Sequence, residues 1–265
     1  MNMFHYEFMQ NAFLASTFIA IASGIVGVFV TARGTSFLAH TLSEIGFAGA
    51  AFAVFLGIPP LDGMLMFTIL SAVTVGRMSA KASRREASTS AVSSLFVGLG
   101  ILFLALSSSS SSYAQTILFG SIVGISRGEI MQLVVLAGFV LLTVLISYRY
   151  LAFDSFDAVG AKAHKLPTNL ISIYFLVILA ICVSTGAQIV GSLLVFILLT
   201  LPSAGAKYIG KTLPQMLVIS VAAALIGVWA GLALGYYTNW PVTFFIAVVE
   251  CLFYVGALGY RNLTK

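Results

Sequence analysis

Charged side chains are scarce in this sequence. Asp, Glu, Lys and Arg make up 8% of the 265 residues, whereas hydrophobic residues make up 60%. A soluble domain of this length would lack the polar surface needed to cover so many apolar side chains. The shortage of charge therefore excludes a soluble globular protein and places most of the chain in lipid. Apolar stretches leave no room for a soluble catalytic domain, so we expect any energy source on a separate polypeptide.

Cysteine and proline are rare as well, with two and six residues. Cys182 and Cys251 both fall in apolar runs and offer no disulfide framework. The prolines lie between the long apolar runs or at their ends, where a missing backbone N–H disturbs a helix least. No basic cluster precedes the first apolar run, so we expect that run to stay in the mature chain and not to act as a cleaved signal.

Long apolar runs are what the sequence has instead, and most are long enough to cross a hydrocarbon core of about 30 Å. They cover residues 11–32, 37–56, 61–77, 89–106, 130–148, 170–185, 189–201, 216–237 and 242–260. The run at 189–201 is short for a complete crossing. The sequence therefore predicts an all-α integral membrane protein, with one transmembrane domain over residues 1–265 and either nine transmembrane helices or eight and a re-entrant segment.

The distribution of Lys and Arg predicts the orientation of these helices. If the chain starts outside and crosses nine times, all of the 13 Lys and Arg residues except Arg127 fall on the inner side. Cytoplasmic loops of membrane proteins carry such an excess. We therefore predict an external N-terminus and a cytoplasmic C-terminus. Because the charges are scattered over separate segments and do not form one stripe, they do not indicate nucleic-acid binding.

One segment matches the phosphate-binding pattern G-x-x-x-x-G-K-[ST], from Gly205 to Thr212. Such a loop needs a preceding strand and a later Asp near Mg²⁺, whereas this segment is flanked by apolar helices and the last Asp of the chain is Asp157. We interpret the match as accidental and assign no nucleotide-binding residues. Lys207 and Lys211 are better explained as anchors at the inner membrane surface.

His40 and Glu44 are the clearest candidates for chemistry. They are four residues apart in the second run, so both project from one face of a helix. Ionisable groups at bilayer depth usually face a water-filled path or a partner. Imidazole and carboxylate suit Zn²⁺, Mn²⁺ or Fe²⁺, with Ser43 as a weaker neighbour. Alternatively, the two side chains bond each other or a facing helix, and the spacing alone does not decide between these roles.

Glu250, in the last run, is the other carboxylate within an apolar segment. A structural contact is the simplest role for it, and a position in a transport path is the alternative. In the preceding run, Gly227, Gly231 and Gly235 recur every four residues, which predicts a close helix contact within the subunit or across a dimer. Residues 149–167 form the longest predicted inner segment, which is either a loop or a short helix lying against the membrane or a partner.

Four stretches resemble the membrane permease subunits of the zinc, manganese and iron ATP-binding-cassette importers: residues 36–49, 118–126, 190–204 and 236–241. In that family the second helix reads D-A-L-S-H, and its Asp and His are thought to line the metal path. Here the order is reversed, because His40 stands at the Asp position and Glu44 at the His position. Lys165 stands at the last glycine of the family's A-x-A-x-G segment.

The resemblance implies a permease with no enzymatic activity of its own, in the plasma membrane of a bacterium. It implies a homodimer, two cytoplasmic ATPase subunits, an external metal-binding receptor, and transported Zn²⁺, Mn²⁺ or Fe²⁺ without a resident cofactor. The ATPase would couple through a segment that includes Phe153, Asp154, Asp157, Ala161, Lys162, Ala163, His164 and Lys165. The alternatives are a permease for another small solute and a proton-coupled secondary transporter with Glu44 or Glu250 as proton carrier.

Overall fold

The computed structural model describes residues 3–78, 85–107 and 127–263, and these residues form helices joined by short connections. After a short 3₁₀ turn at Met3–His5, the α-helices are α1 Glu7–Ala32, α2 Ser36–Leu56, α3 Pro60–Met78, α4 Arg85–Leu106, α5 Arg127–Phe156, α6 Ala158–Ala163, α7 Thr168–Val190, α8 Ser192–Ile209, α9 Leu213–Thr238 and α10 Val242–Leu263. Residues 118–126, which carry part of the family resemblance, and Lys81, Arg84 and Lys265 of the predicted inner side lie outside the described residues.

Among the described residues, eight helices are long and apolar enough to cross a membrane: α1 to α5, α7, α9 and α10. The shorter apolar helix α8 accompanies them. Outward faces carry large hydrophobic side chains, such as Leu145 and Ile146 of α5, which are 72% and 73% exposed and suit contact with lipid. The predicted all-α membrane architecture is confirmed.

Contacts between distant side chains give the relative directions of the helices. The hydroxyls of Thr31 and Ser203 lie 2.6 Å apart near the ends of α1 and α8, so these two helices run the same way. Ser220 of α9 donates to the Gly24 carbonyl and Trp229 to the Thr17 hydroxyl, so α9 runs in the opposite direction. Through such contacts α1, α3, α5, α8 and α10 finish at one end of the bundle, where α2, α4, α7 and α9 begin.

We call this end of the bundle the basic end because of the residues that it gathers. They are Arg33, Arg77, Arg149, Lys162, Lys165, Lys207, Lys211 and Arg261. Within the described part of the chain, Arg127 is the one Lys or Arg side chain at the opposite end, where its Nε donates to Glu7 at 2.7 Å. The helix directions thus bring together charges that are far apart in sequence.

The connection between α7 and α8 lies inside the bundle and not at its end. A Cβ built on Gly186 would lie 3.5 Å from Ile19, near the midpoint of α1. At about 1.5 Å per residue, Gly191 then lies about 8 Å beyond the level of Ile19, whereas α1 extends about 18 Å beyond it. Gly191 reverses the chain with a φ of +88°, which glycine adopts readily. Of the two predicted alternatives, the one with a re-entrant segment describes this arrangement better, because α8 begins inside the bundle and returns to the end from which α7 entered.

The predicted end of the short run before Pro202 is wrong, because α8 continues through Pro202 to Ile209. Pro202 lacks the N–H that would bond the preceding turn. Membrane helices tolerate such an interruption where hydroxyls and adjacent helices satisfy the freed backbone groups. The missing N–H of Pro202 frees the Leu198 carbonyl, and the Ser203 hydroxyl bonds the next two carbonyls, of Leu199 and Thr200, both at 3.0 Å.

Candidate functional site

His40 and Glu44 lie on one face of α2, in the half of the helix nearer the basic end. His40 Nδ1 is 3.8 Å from Glu44 Oε1, and the two side chains are 43% and 45% exposed. The surrounding turns of α2 are apolar and largely buried. The chain therefore presents an imidazole and a carboxylate side by side on an open side of a helix that spans the membrane.

Two other helices border this pair. The ring of Phe196 from α8 meets the His40 ring edge to face, with centroids 4.9 Å apart and planes at 89°. Ser93 of α4 places its hydroxyl 3.4 Å from Glu44 Oε2. Glu44 thus has one oxygen directed at His40 and the other at α4. Ser93 is not among the candidates predicted from sequence, although its spacing from Thr89 and Phe96 places the three residues on one face of a predicted helix.

Ser43, which we predicted as a weaker neighbour of the pair, has another contact in the structure. Its side chain is buried, and its hydroxyl donates to the backbone carbonyl of Ser192 at the start of α8. That contact ties α2 to the α7–α8 turn. The hydroxyl next to Glu44 comes from α4 and not from α2.

The ligand count at this site is low for one chain. Within residues 3–78, 85–107 and 127–263, no group of three or more His, Cys, Asp and Glu side chains is placed to hold a metal ion. Protein sites for transition metals usually supply three or four ligands. His40 and Glu44 of one chain are therefore two groups, fewer than such a site usually contains.

Glu250 lies away from the open side of α2, between α10 and α9. It is fully buried, and among the described residues neither carboxylate oxygen has a hydrogen-bond partner. The Glu250 side chain fits beside Gly227 because the glycine has no side chain. A Cβ built on Gly227 would lie 2.2 Å from Glu250 Oε1. Gly231 and Gly235 meet Ile246 and Val242 in the same way. The predicted glycine contact is therefore within the subunit.

The close approach of Gly227 to Glu250 yields a testable prediction. Gly227→Ala is expected to destabilise the protein by about 1–3 kcal/mol, because the added methyl overpacks a filled interface. Combining it with Glu250→Ala is expected to recover most of the loss, since the shorter side chain vacates the space that the methyl needs. Thermal unfolding of the detergent-solubilised single and double variants checks this. Gly256→Ala, at a position with open space around it, is the matched control, and additive effects at Gly227 and Glu250 would contradict the prediction.

The predicted inner segment contains the short helix α6. Asp157 caps this helix, because its Oδ1 accepts the backbone N–H of Gly160 at 2.8 Å. Ala161 is buried, whereas Asp157, Lys162, Ala163, His164 and Lys165 are exposed. The ring of Phe153 packs against His164 with centroids 5.7 Å apart. Lys165 adopts a φ of +55°, a left-handed conformation that favours glycine, and it stands at the position where the resembling family has glycine.

Asp154 faces inward from this segment. Its Oδ2 lies 2.8 Å from Arg33 Nη2, and both side chains are less than a tenth exposed. Arg33 also donates from Nε to the Ser155 hydroxyl at 2.8 Å and stacks over Phe175 at 4.8 Å. This ion pair joins the ends of α1 and α5 to α7. It borders a cavity of about 350 Å³ at the basic end, which Lys162 and Asn169 also line.

The segment that matches the phosphate-binding pattern is mostly helical. Gly205 to Ile209 form the last turns of α8, and Gly210 and Lys211 connect to Thr212. The Thr212 hydroxyl accepts the Gln215 N–H at 3.5 Å and caps α9. The first glycine of this match, Gly205, packs against the ring of Phe253.

Comparisons with known proteins agree over almost the whole chain. The model of the ABC 3 transport family matches residues 5–261. The chelated iron transport system membrane protein YfeD of Yersinia pestis is 28% identical, covering 98% of this chain and 88% of the relative. The manganese transport system membrane protein MntC of Listeria monocytogenes is 27% identical, covering 88% of this chain and 84% of the relative.

A solved structure resembles the fold closely. PsaBC from Streptococcus pneumoniae, in complex with a Fab, has a chain that superposes with a TM-score of 0.86 at 26% identity. The match covers 98% of this chain and 96% of that one. The resemblance predicted from the four sequence stretches is confirmed at the level of the family.

Proposed function

Because this chain belongs to the ABC 3 transport family, we propose that it is the permease subunit of an ATP-driven importer of Mn²⁺, Fe²⁺ or Zn²⁺, in which His40 and Glu44 line the metal path. The observation that carries this proposal is the half-exposed imidazole and carboxylate, 3.8 Å apart on a membrane-spanning helix. An ionisable pair at this depth is costly unless it faces water or a ligand. A transported ion meets that requirement.

The chemistry of the pair fits transient binding. An imidazole nitrogen and a carboxylate oxygen are ligands that these three ions accept. One chain supplies two such ligands and leaves the rest of the shell to water or to a second copy, and transport requires binding weak enough for the ion to leave. The related proteins YfeD and MntC are named for iron and manganese transport, so the substrate class is a divalent transition metal and the particular ion stays open.

A homodimer would complete the site. The open side of α2 is the direction in which a second copy would add its own His40 and Glu44 and raise the ligands to four. The same copy would cover polar side chains that one chain leaves exposed within the membrane. We therefore propose that the path runs along the axis between two copies of the chain.

The basic end of the bundle is proposed to be cytoplasmic, with the N-terminus outside in the plasma membrane of a bacterium. The excess of Lys and Arg at that end supports this orientation. Two ATPase subunits would then meet the exposed side of α6 and its neighbours. Phe156 and Val159, which are 52% and 81% exposed, offer apolar contacts there beside Lys162. A receptor outside would deliver the metal to the opposite end.

Asp154 has a separate role in this proposal. Because it is buried against Arg33, it fastens the coupling segment to α1 and does not touch the ATPase. Movement of α6 would pass through this ion pair to α1, which packs on α8 beside the metal path.

The proposal is tested by uptake of radiolabelled Mn²⁺, Fe²⁺ and Zn²⁺ into proteoliposomes that contain the permease with the ATPase and receptor encoded beside it. We expect uptake of at least one ion, and we expect that uptake to require ATP on the side of the membrane where the ATPase lies. Uptake should stop when the phosphate-binding lysine of the ATPase is substituted. Uptake that persists without ATP and collapses with a protonophore would indicate a secondary transporter instead. Absence of uptake of all three ions, with ATP hydrolysis intact, would indicate another small solute.

A further inference from the structure

One face of α4 follows α2 along most of its length. Thr89, Ser93, Phe96 and Gly100 lie on this face, at intervals of four, three and four residues. Gly100 meets Ala48 of α2 so closely that a Cβ on the glycine would lie 2.5 Å from the alanine Cβ. Thr89 and Ser93 are 1% and 5% exposed. The two buried hydroxyls occur in the half of α4 that is level with His40 and Glu44.

Beyond Glu44 the same seam is apolar. Phe96 packs on Phe67 of the adjoining helix α3, with ring centroids 5.1 Å apart, and Phe103 packs on Phe52 of α2 at 4.9 Å. The change from hydroxyls to aromatic rings coincides with the end of the polar face of α2. Polar groups of α4 are thus confined to the level of the ionisable pair.

Ser93 is the member of this face that reaches the pair. Its hydroxyl lies 3.4 Å from Glu44 Oε2, while Glu44 Oε1 faces His40 Nδ1 at 3.8 Å. A serine hydroxyl can donate one hydrogen bond, and an ionised carboxylate can only accept. The contact therefore occupies one carboxylate oxygen and leaves the other on the side of the imidazole.

We propose that Ser93 is a positioning residue that sets the metal selectivity of the path. This inference rests on the proposed function of His40 and Glu44. By engaging Oε2, Ser93 holds Glu44 as a one-oxygen ligand beside the imidazole nitrogen. Such a mixed set suits Zn²⁺ and Fe²⁺, whereas Mn²⁺ and Ca²⁺ gain more from a carboxylate that offers both oxygens.

Removing the hydroxyl is expected to shift selectivity towards the harder ions. Hydrogen-bond partners of metal ligands typically change affinity or activity by about 10–100-fold when they are lost. The measured quantity is how strongly unlabelled Zn²⁺ and Mn²⁺ each inhibit the uptake of labelled metal. In Ser93→Ala we expect the inhibitory potency of Zn²⁺ relative to Mn²⁺ to fall about 10-fold, and inhibition by Ca²⁺ to increase. Ser93→Cys, which keeps the volume but donates weakly, is expected to behave like Ser93→Ala. Ser93→Thr keeps a hydroxyl and is expected to retain the native ratio.

The experiment uses the reconstituted permease with its ATPase and receptor, and Ser94→Ala is the matched control because Ser94 is exposed on the other side of α4. Unchanged competitor ratios in both Ser93→Ala and Ser93→Cys would overturn the inference. So would a lower maximal rate with an unchanged ratio, which indicates a structural role. If the native permease takes up no metal at all, the proposed function itself fails, and the inference fails with it.

Discussion

Metal uptake by the Glu44→Ala permease is expected to fall at least about 100-fold relative to the native protein at equal membrane abundance, and His40→Ala is expected to behave similarly. Loss of an outer hydrogen-bond partner of a metal site already costs about 10–100-fold, and each of these substitutions removes a direct ligand. In a homodimer each substitution would also remove two ligands from one path. Initial rates of labelled metal uptake into proteoliposomes measure the effect.

Exchanging the two ligand types provides the sharpest control. The double variant His40→Asp with Glu44→His has the order of the D-A-L-S-H segment described for the second helix of metal importer permeases. It keeps one carboxylate and one imidazole on the same face of α2. We expect it to transport more metal than either alanine variant. Phe37→Ala, at an exposed position of the same helix, is the control for α2 itself. Native uptake in both alanine variants would instead make His40 and Glu44 packing residues.

Asp154→Ala is expected to destabilise the permease by about 3–5 kcal/mol, which is the usual cost of removing one partner from a buried ion pair. The substitution leaves the Arg33 guanidinium without the carboxylate 2.8 Å away, in a site where both side chains are less than a tenth exposed. Nearby hydroxyls and the Phe175 ring do not neutralise its charge. Thermal unfolding of the solubilised permease, together with ATP-dependent uptake, measures the loss.

Two variants define what the ion pair contributes. Asp157→Ala removes an exposed cap of α6 and is expected to cost about 0.5–2 kcal/mol. Replacing both partners, with Arg33→Met and Asp154→Leu, is expected to restore stability close to native, because paired buried charges can be exchanged for apolar side chains at little cost. If the double variant is stable yet transports poorly, the ion pair is needed for coupling. If Asp154→Ala and Asp157→Ala lower the free energy of unfolding by equally small amounts, the buried ion pair does not contribute the stability expected of it.

Some features of the candidate site were predictable from sequence because they are local. A four-residue interval on a helix places His40 and Glu44 on one face whatever the rest of the fold does. The glycines at 227, 231 and 235 predict a close contact for the same reason. What they contact was not predictable, and the structure shows that Glu250 and Ile246 of the same chain fill the space.

Other features depend on which helices become neighbours. Ser43 is next to Glu44 in sequence, yet its hydroxyl bonds the Ser192 carbonyl, and the hydroxyl that reaches Glu44 comes from Ser93. Asp154 was predicted as part of a coupling surface, but its carboxylate is buried against Arg33, which is far away in sequence. No periodicity relates residues 44 and 93 or residues 33 and 154.

By itself, the sequence determined that this protein lies in the membrane as a set of helices, because apolar content and run length suffice to specify a lipid environment and hydrogen-bonded backbone. It also determined which ionisable side chains lie within the apolar runs. Tertiary structure alone decided that the α7–α8 turn lies inside the bundle, that Arg33 pairs with Asp154, and that Ser93 approaches Glu44. The physical reason is that lipid drives each helix into the membrane independently, whereas close packing between helices selects the neighbours of every polar side chain.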